Sequence, residues 1–245
     1  MKIVLVSIIS IIIIIFVIFL TPKYESYLSP PKIVHLVLYS ESDDYRQMYE
    51  TTRPYYKGFP IVTLYYTYSG SSDPPYIKDD ILYLPGKESF IPGVLNKTID
   101  AFQWASERYE FDYIIRSNIS TVINIPGVIS ELSSEKIDYG GGFVGPLSTV
   151  GSGYGVKEQH IGTIYSSGTF IILSKEAIDT LLKTRGDIQY DVIDDVSIGL
   201  WAKGRYVAKQ VNSQLFYRNR TSDRKNDVLN MKNQINSFIP KPPNA

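Results

Sequence analysis

The chain has no cysteine. That excludes a disulfide framework, a thiolate nucleophile and any zinc site built on sulfur. Histidine is almost missing as well, with His35 and His160 the only two. A three-histidine metal site is therefore excluded, and a Ser-His-Asp triad has little to draw on. Charge of one sign is also lacking. The 25 basic residues balance the 25 acidic ones, and no strongly basic stretch exists, which argues against nucleic acid as a partner. No HExxH, GxSxG or zinc-finger spacing occurs, and no internal repeat is visible. The three glycines Gly140, Gly141 and Gly142 are adjacent, unlike the spaced glycines of a dinucleotide fingerprint or a P-loop.

What is present begins with length. The 245 residues suit one large domain with a real core, or a domain with short additions. Tyrosine is abundant, 20 against 10 phenylalanines, and offers flat contact area with a polar tip, which suits a ligand cleft. Residues 3–20, IVLVSIISIIIIIFVIFL, carry no charge. As a helix at ~1.5 Å per residue they would cover about 27 Å, close to a bilayer's hydrocarbon core. A cleaved signal peptide competes with this reading, but its small-x-small site is absent after Leu20. The expectation is an uncleaved transmembrane signal-anchor over 1–20 that engages the lipid bilayer. A proline-stiffened stem over 21–32 follows, then a globular domain over 33–239 and a disordered tail over 240–245. A single anchor ahead of one domain most often places that domain on the luminal or external side, a type II layout.

The body alternates strands and helices. Residues 33–39, 61–68 and 81–84 read as strands, the first two as near-continuous apolar runs typical of a sheet buried on both faces. His35, inside the first, reads as a hydrogen-bonded core residue. The polar loop Ser40–Asp44 after it puts Asp43 and Asp44 at the carboxyl edge of the sheet. A short helix over 45–54 should stop before Pro54. A helix over 92–109 buries Leu95, Ile99, Phe102 and Ala105. Its Lys97 and Thr98 either face outward or reach a ligand. Gly140–Gly142, in a strand over 139–143, suggest close approach of the backbone to a ligand or a neighbouring strand. The Gly- and Ser-rich stretch 145–160 is the best candidate for a mobile flap over a site, its plain reading being a surface loop. A strand over 163–174 is interrupted by Gly168. Ser174 is the natural N-cap of a helix running to about Lys183. Asp194 and Asp195 precede another helix, where carboxylates are favoured as caps. A last strand near 206–211 leads to Phe216–Arg220, and a helix from Lys225 gathers Val228, Met231, Ile235 and Phe238. This is an α/β pattern with a mostly parallel central sheet flanked by helices.

The stretch Glu110–Pro126, EFDYIIRSNISTVINIP, is the strongest site candidate. Its apolar run ends abruptly in Arg116-Ser117-Asn118-Ile119-Ser120, and ligands of open α/β sheets bind where strands end at their carboxyl edge. The plain alternative is an ordinary Ser/Asn turn.

Three segments, FDYIIRSNIST, GTIYSSGTFIILSKEAIDTLL and IDDVSIGLWAKG, resemble nucleotide-sugar glycosyltransferases of the fringe and β-1,3-galactosyltransferase type, which have the GT-A fold. The match covers about 80–230. In that group an apolar strand runs into a lysine and a triple-aspartate motif, and a later Glu-Asp-Val-x-x-Gly carries the catalytic base. Here Arg116 stands for the lysine, and Asn118, Ile119 and Ser120 stand for the aspartates. Gly168 and Ser174 fit the central strand and helix start, and Asp195 matches the base. The resemblance implies a GT-A-like single domain. It also implies a nucleotide-sugar donor held by Arg116, Ser117, Asn118, Ser120, Asp43, Asp44 and Lys97, and catalysis by Asp195 with Asp194 beside it. A glycan or glycoprotein acceptor would lie near Gly168, Trp201 and Arg218. The group holds Mn²⁺ or Mg²⁺ with its aspartates. At those positions Asn118 and Ser120 offer only neutral oxygens, which leaves metal dependence open. The anchor and stem match the layout of Golgi enzymes. The expected activity is inverting glycosyl transfer from an anchored enzyme of the Golgi or ER, or of a virus. The alternative is a membrane-anchored protein that binds nucleotide-sugar or glycan without turnover. Asn96, Asn118 and Asn219 begin N-glycosylation sequons, with Asn118 expected to be too enclosed to carry a glycan.

Overall fold

Residues 33–38 are apolar at every position but one because both faces of the strand they form are covered. In β1 (Ile33–Leu38), Val34 and Leu36 enter one core cluster while Ile33 and Val37 enter another. This follows from the two-residue side-chain period of a strand. The computed structural model describes residues 29–218 and 224–239. The chain clusters into two units, Met1–Pro30 and Pro31–Ala245, and the second unit carries the fold. The anchor expected over 3–20, most of the stem, the Asn219 sequon and the tail over 240–245 lie outside the described residues. Among the described residues no helix is long and apolar enough to cross a membrane.

In chain order β1 is followed by α1 (Asp43–Tyr56), β2 (Val62–Tyr68), β3 (Tyr76–Lys78), β4 (Ile81–Leu84) and α2 (Gly93–Ser106). Next come β5 (Tyr113–Asn118), β6 (Thr121–Ile123), α3 (Ile125–Ser134), β7 (Tyr139–Gly141) and β8 (Val144–Pro146). Then follow β9 (Ile164–Ser166), β10 (Phe170–Ser174), α4 (Lys175–Lys183), α5 (Asp194–Ala202), β11 (Ala208–Gln210), β12 (Phe216–Arg218) and α6 (Arg224–Phe238). The central sheet has eight strands in the order β11-β7-β10-β5-β1-β2-β4-β3. β5, β1, β2 and β4 run parallel, and so do β7 and β11. β10 runs against both its neighbours, and β3 runs against β4. The sheet is mixed and mostly parallel. Helices α2, α4 and α5 cover one face, and α1, α3 and α6 the other.

The sheet's register gathers the site. Leu38 pairs with Asn118, and Phe170 with Ser117. The carboxyl ends of β1 and β5 and the entry to the antiparallel β10 therefore meet at one edge.

Several expectations need correction. Helix α1 continues through Pro54 to Tyr56 because burial of its last turn outweighs the proline. The Tyr55 hydroxyl donates to the Ile123 carbonyl at 2.9 Å, and the Tyr56 hydroxyl to the Thr121 carbonyl at 3.3 Å. Of the two partners expected for the three glycines, a ligand or a neighbouring strand, the close approach seen is to neighbouring protein. A Cβ on Gly141, whose φ is +156°, would lie 1.9 Å from the Phe170 carbonyl oxygen, and one on Gly142 would lie 2.6 Å from the Phe216 ring. The stretch 145–160 is not a free flap. It contains single turns at Ser152–Tyr154 and Glu158–His160, and Leu147 and Val156 are buried against Val192 and Val196. His35 is a core residue, as expected. It is buried and in hydrogen-bond contact with the Ser117 hydroxyl at 2.9 Å, and burial holds its pKa down at about 3, so its ring is neutral.

Candidate active site

A cavity of about 540 Å³ opens at this carboxyl edge. Its wall includes Tyr39 and Ser40 after β1, Glu88 to Phe90 after β4, Lys97 on α2, and Arg116, Asn118 and Ser120 at the end of β5. Ser167 to Thr169 before β10 and Ile193 to Asp195 at the start of α5 complete it. The two segments singled out in the sequence, 116–120 and 194–195, thus share one cavity although about 75 residues separate them.

Arg116 is the centre of the wall. The strand's period turns it towards α5, on the same face as Ile114, while Ser117 turns to His35 on the other face. Its guanidinium donates to Asp194 Oδ2 at 2.6 Å, to Asn118 Oδ1 at 2.8 Å and to the Gly168 carbonyl. Both partners of the Arg116–Asp194 pair are buried, with side chains 2% and 5% exposed. Burial by itself would lower the arginine's pKa, but the Asp194 charge, the Tyr66 hydroxyl and the Asp195 charge together outweigh it and the net shift is upward. Gly168 is required by this packing: a Cβ there would lie 2.8 Å from Arg116 Nη1 and 3.4 Å from Asp195 Oδ2. Asn118 Oδ1 accepts from Arg116, and its amide NH₂ supplies the donors of that side chain.

Asp195 is half-buried on the cavity wall. Oδ2 accepts from the Gly168 N–H and Oδ1 from the Val196 N–H, both at 2.8 Å. Burial, and then the neighbouring Asp194 charge, raise its pKa to about 6. A carboxylate so poised is largely ionised near neutral pH yet basic enough to take a proton. Neither aspartate caps α5 in the usual way, since the N-cap residue is Ile193 and makes no side-chain cap. Gly199 lets the helix pack closely, because a Cβ there would lie 2.4 Å from Tyr165 Cβ.

Lys97 is buried, and its Nζ donates to Glu88 Oε1 at 2.5 Å and to the Tyr39 carbonyl at 2.9 Å. Burial pushes its pKa down, against the Glu88 contact. The lysine does not face outward, because α2 packs its polar stripe towards the cavity. Glu88 also accepts from the Thr67 hydroxyl at 3.0 Å and the Tyr68 N–H at 3.1 Å.

Several expected residues lie elsewhere. Ser117 is buried beneath the sheet. Asp43 and Asp44 stand in the first turn of α1, whose N-cap is Ser42, and neither lines the cavity. There they favour the helix's positive end. Trp201 is 1% exposed, and its indole N–H donates to Thr184 Oγ1 at 2.9 Å, so it is core and not a platform for sugar. Arg218, on β12, lies 4.2 Å over the Phe143 ring, away from the cavity wall. Conversely, Glu88, Phe90, Ser167 and Thr169 were missed. Ser167 and Thr169 stand inside the segment GTIYSSGTFIILSKEAIDTLL that carries the resemblance, and Glu88 and Phe90 inside KESFIPGVLNKTIDAF, which resembles the same group, but neither segment singles these residues out.

The donor set does not fit Mn²⁺ or Mg²⁺. A hard divalent ion needs several available carboxylate oxygens. Of the three carboxylates on the wall, Asp194 is tied to Arg116, Glu88 to Lys97, and Asp195 to two backbone N–H groups. Asn118 Oδ1 is taken by Arg116, and Ser120 brings only a hydroxyl. Among the described residues no cluster of three or more His, Cys, Asp or Glu could hold a metal.

No protein-family profile matches the sequence, and no curated protein matches it. Solved structures do. A glycosyltransferase involved in glycosylation of the major capsid of PBCV-1 superposes with a TM-score of 0.51 at 12% identity, covering 82% of this chain and 99% of the other. The inositol-1-phosphate CTP transferase from T. maritima also gives 0.51, at 10% identity, covering 86% of this chain and 99% of the other. The fold is GT-A-like. At such low identities the likeness is one of fold. Within that fold the cavity occupies the sheet edge at which open α/β proteins take their ligands.

Proposed function

We propose that the protein transfers a sugar from a nucleotide-sugar donor to a glycan or protein acceptor, with inversion, and that Asp195 is the general base. The observation that carries this reading is Asp195 itself. It is a carboxylate with a raised pKa, held by two backbone N–H groups, in a cavity whose rim is rich in neutral hydrogen-bond donors. The fold shared with two transferases that, by their names, handle sugar or nucleotide chemistry supports it. So does the sequence likeness to the fringe-type group.

In this scheme the donor lies along the carboxyl edge. Its diphosphate takes hydrogen bonds from the Asn118 amide and the Ser120 and Thr169 hydroxyls, and competes with Glu88 for Lys97. Arg116 does not bind donor directly. It holds Asn118, Gly168 and Asp194 in place, and Asp194 keeps its charge compensated. Asp195 takes the proton of the acceptor hydroxyl as its oxygen bonds to the anomeric carbon and the nucleoside diphosphate departs. The apolar run over 3–20 would tether the domain to a membrane, on the luminal or external side.

Replacement of Asp195 by Asn tests the chemistry. In a panel of UDP- and GDP-sugars with saccharide acceptors, the variant should lose about 10² or more of kcat while still binding nucleotide. Transfer that survives unchanged removes Asp195 from the role. A second reading, binding without turnover, is favoured by one feature: the wall carries three carboxylates against two cations, which disfavours an anionic leaving group. Calorimetry that finds nucleotide-sugar binding but no transfer from any donor selects it.

A further inference from the structure

Aromatic side chains in this chain are mostly buried, from Tyr39 and Tyr66 to Phe102 and Phe170. Phe90 and Tyr154 depart from that pattern, each being 53% exposed. A ring left half in water forgoes part of its burial free energy. Tyr76 is also exposed, but it stacks on Tyr83 at the sheet's edge, with centroids 4.9 Å apart. The Phe90 and Tyr154 rings meet edge to face, 5.8 Å apart at 65°, and Phe90 lines the cavity. They come from segments 64 residues apart in sequence.

The position of Tyr154 is built in. Its carbonyl accepts from the Ile193 N–H at 2.9 Å. The next residue, Gly155, has φ +68°, and a Cβ there would lie 1.8 Å from the Asp191 carbonyl oxygen. Only glycine allows that approach. Lys157 pairs with Asp191 at 2.7 Å, and Val156 packs with Val192 and Val196. The ring is thus mounted on the stretch 191–196 that also carries Asp195. Phe90 is fixed at the start of α2, where its carbonyl accepts from the Val94 N–H at 3.1 Å.

We propose that Phe90 and Tyr154 form a stacking platform for the apolar face of the saccharide acceptor, at the cavity mouth. The assignment deepens the transferase reading and rests on it. An uncharged aromatic corner suits the C–H face of a neutral pyranose, and the mount it shares with Asp195 presents that sugar's hydroxyl to the base. The other two aromatic side chains on the wall, Tyr39 and Tyr45, stand after β1 and on α1, away from this mount. Tyr39 is buried, so the half-buried Tyr45 is the one left for the donor's nucleoside.

Saturation-transfer NMR on the full chain tests the platform, with methyl β-D-galactopyranoside, methyl β-D-glucopyranoside and methyl α-D-mannopyranoside as probes. Titration calorimetry with UDP and GDP runs alongside. Phe90→Ala and Tyr154→Ala should weaken saccharide binding about tenfold, with Tyr154→Phe retaining it and nucleotide affinity holding within about twofold. Both rings are half in solvent, so the variants should keep the wild-type melting temperature. Saccharide binding that is absent from the wild type, or unchanged in both alanine variants, overturns the proposal. So does a loss that falls on UDP or GDP instead, which would assign the rings to the nucleoside. A wild type that binds these saccharides through Phe90 but no nucleotide leaves the platform standing and removes the transferase reading.

Discussion

Two ion pairs line the same cavity, and they are built for different work. Arg116–Asp194 is sealed, both side chains being nearly without solvent contact. In Lys97–Glu88 the lysine is equally buried, but Glu88 is 40% exposed. A sealed pair cannot trade partners without stranding a charge, so it acts as framework. A pair with one wet member can open, because water solvates the released carboxylate. Under the proposed function the contrast makes Arg116 a positioning residue and Lys97 a ligand-binding one, although both carry a positive charge on the wall.

The largest effect should come from breaking the sealed pair on one side. Arg116→Met or Asp194→Asn alone should cost about 3–5 kcal/mol in urea unfolding, since each strands or unbalances a buried charge. The double variant Arg116→Met with Asp194→Asn should cost clearly less than the two single losses combined. Additive losses would mean that the two residues are not coupled.

The open pair should respond through binding more than through stability. Lys97→Met should weaken UDP or GDP binding about tenfold, and Glu88→Gln should strengthen it about threefold, read by calorimetry. Glutamine keeps an acceptor for the Thr67 hydroxyl and the Tyr68 N–H while removing the competing charge. Weaker nucleotide binding in Glu88→Gln would show that the carboxylate is needed where it stands. Because the wall does not fit a divalent ion, EDTA should leave this binding unchanged.

Asp195 lines the same cavity and adds a pH signature. Its folded pKa, about 6, lies above the unfolded value near 3.9. Between those values the folded state binds more protons than the unfolded one. Stability therefore falls as pH rises from about 4 to about 6 and is level beyond. Asp195→Asn lacks this pH-dependent loss, so its stability relative to the wild type should improve by about 1 kcal/mol between pH 4 and pH 7.5 once partial solvent exposure is allowed for. The acceptor it loses for one of the two backbone N–H groups lowers its stability equally at both pH values. Transfer by the wild type should rise with pH through the same region, as the base ionises. A flat rate profile would contradict the assignment. The smallest effect belongs to Asp43→Ala, which should cost about 0.5 kcal/mol by weakening the first turn of α1 and should leave nucleotide binding untouched.

The residues that read most plainly in the sequence are those whose environment is local or periodic. The apolar runs at 33–38 and 62–68 could only be strands covered on both faces. The break at Gly168, the cap at Ser174 and the start of a helix at Asp194 carried their own signals. Trp201 shows where such reading stops. Its chemistry suits a sugar platform, yet its place on α5 turns it into the core, and no local pattern distinguishes the two. Asp43 and Asp44 lie just past the correct strand end, but the chain has already turned into α1 there.

The sequence by itself determined the alternation of strands and helices, and it singled out the carboxyl edge, with Arg116 and Asp195, as the region to follow. Strand periodicity, capping and strand ends are properties of short stretches, and short stretches are what a sequence displays. Which cation is sealed and which can open, which aromatic rings remain in water, and how far the Asp195 proton affinity is raised were decided only by the tertiary structure. Burial and charge pairing depend on neighbours that are dozens of residues away along the chain, and only the folded sheet brings them within reach.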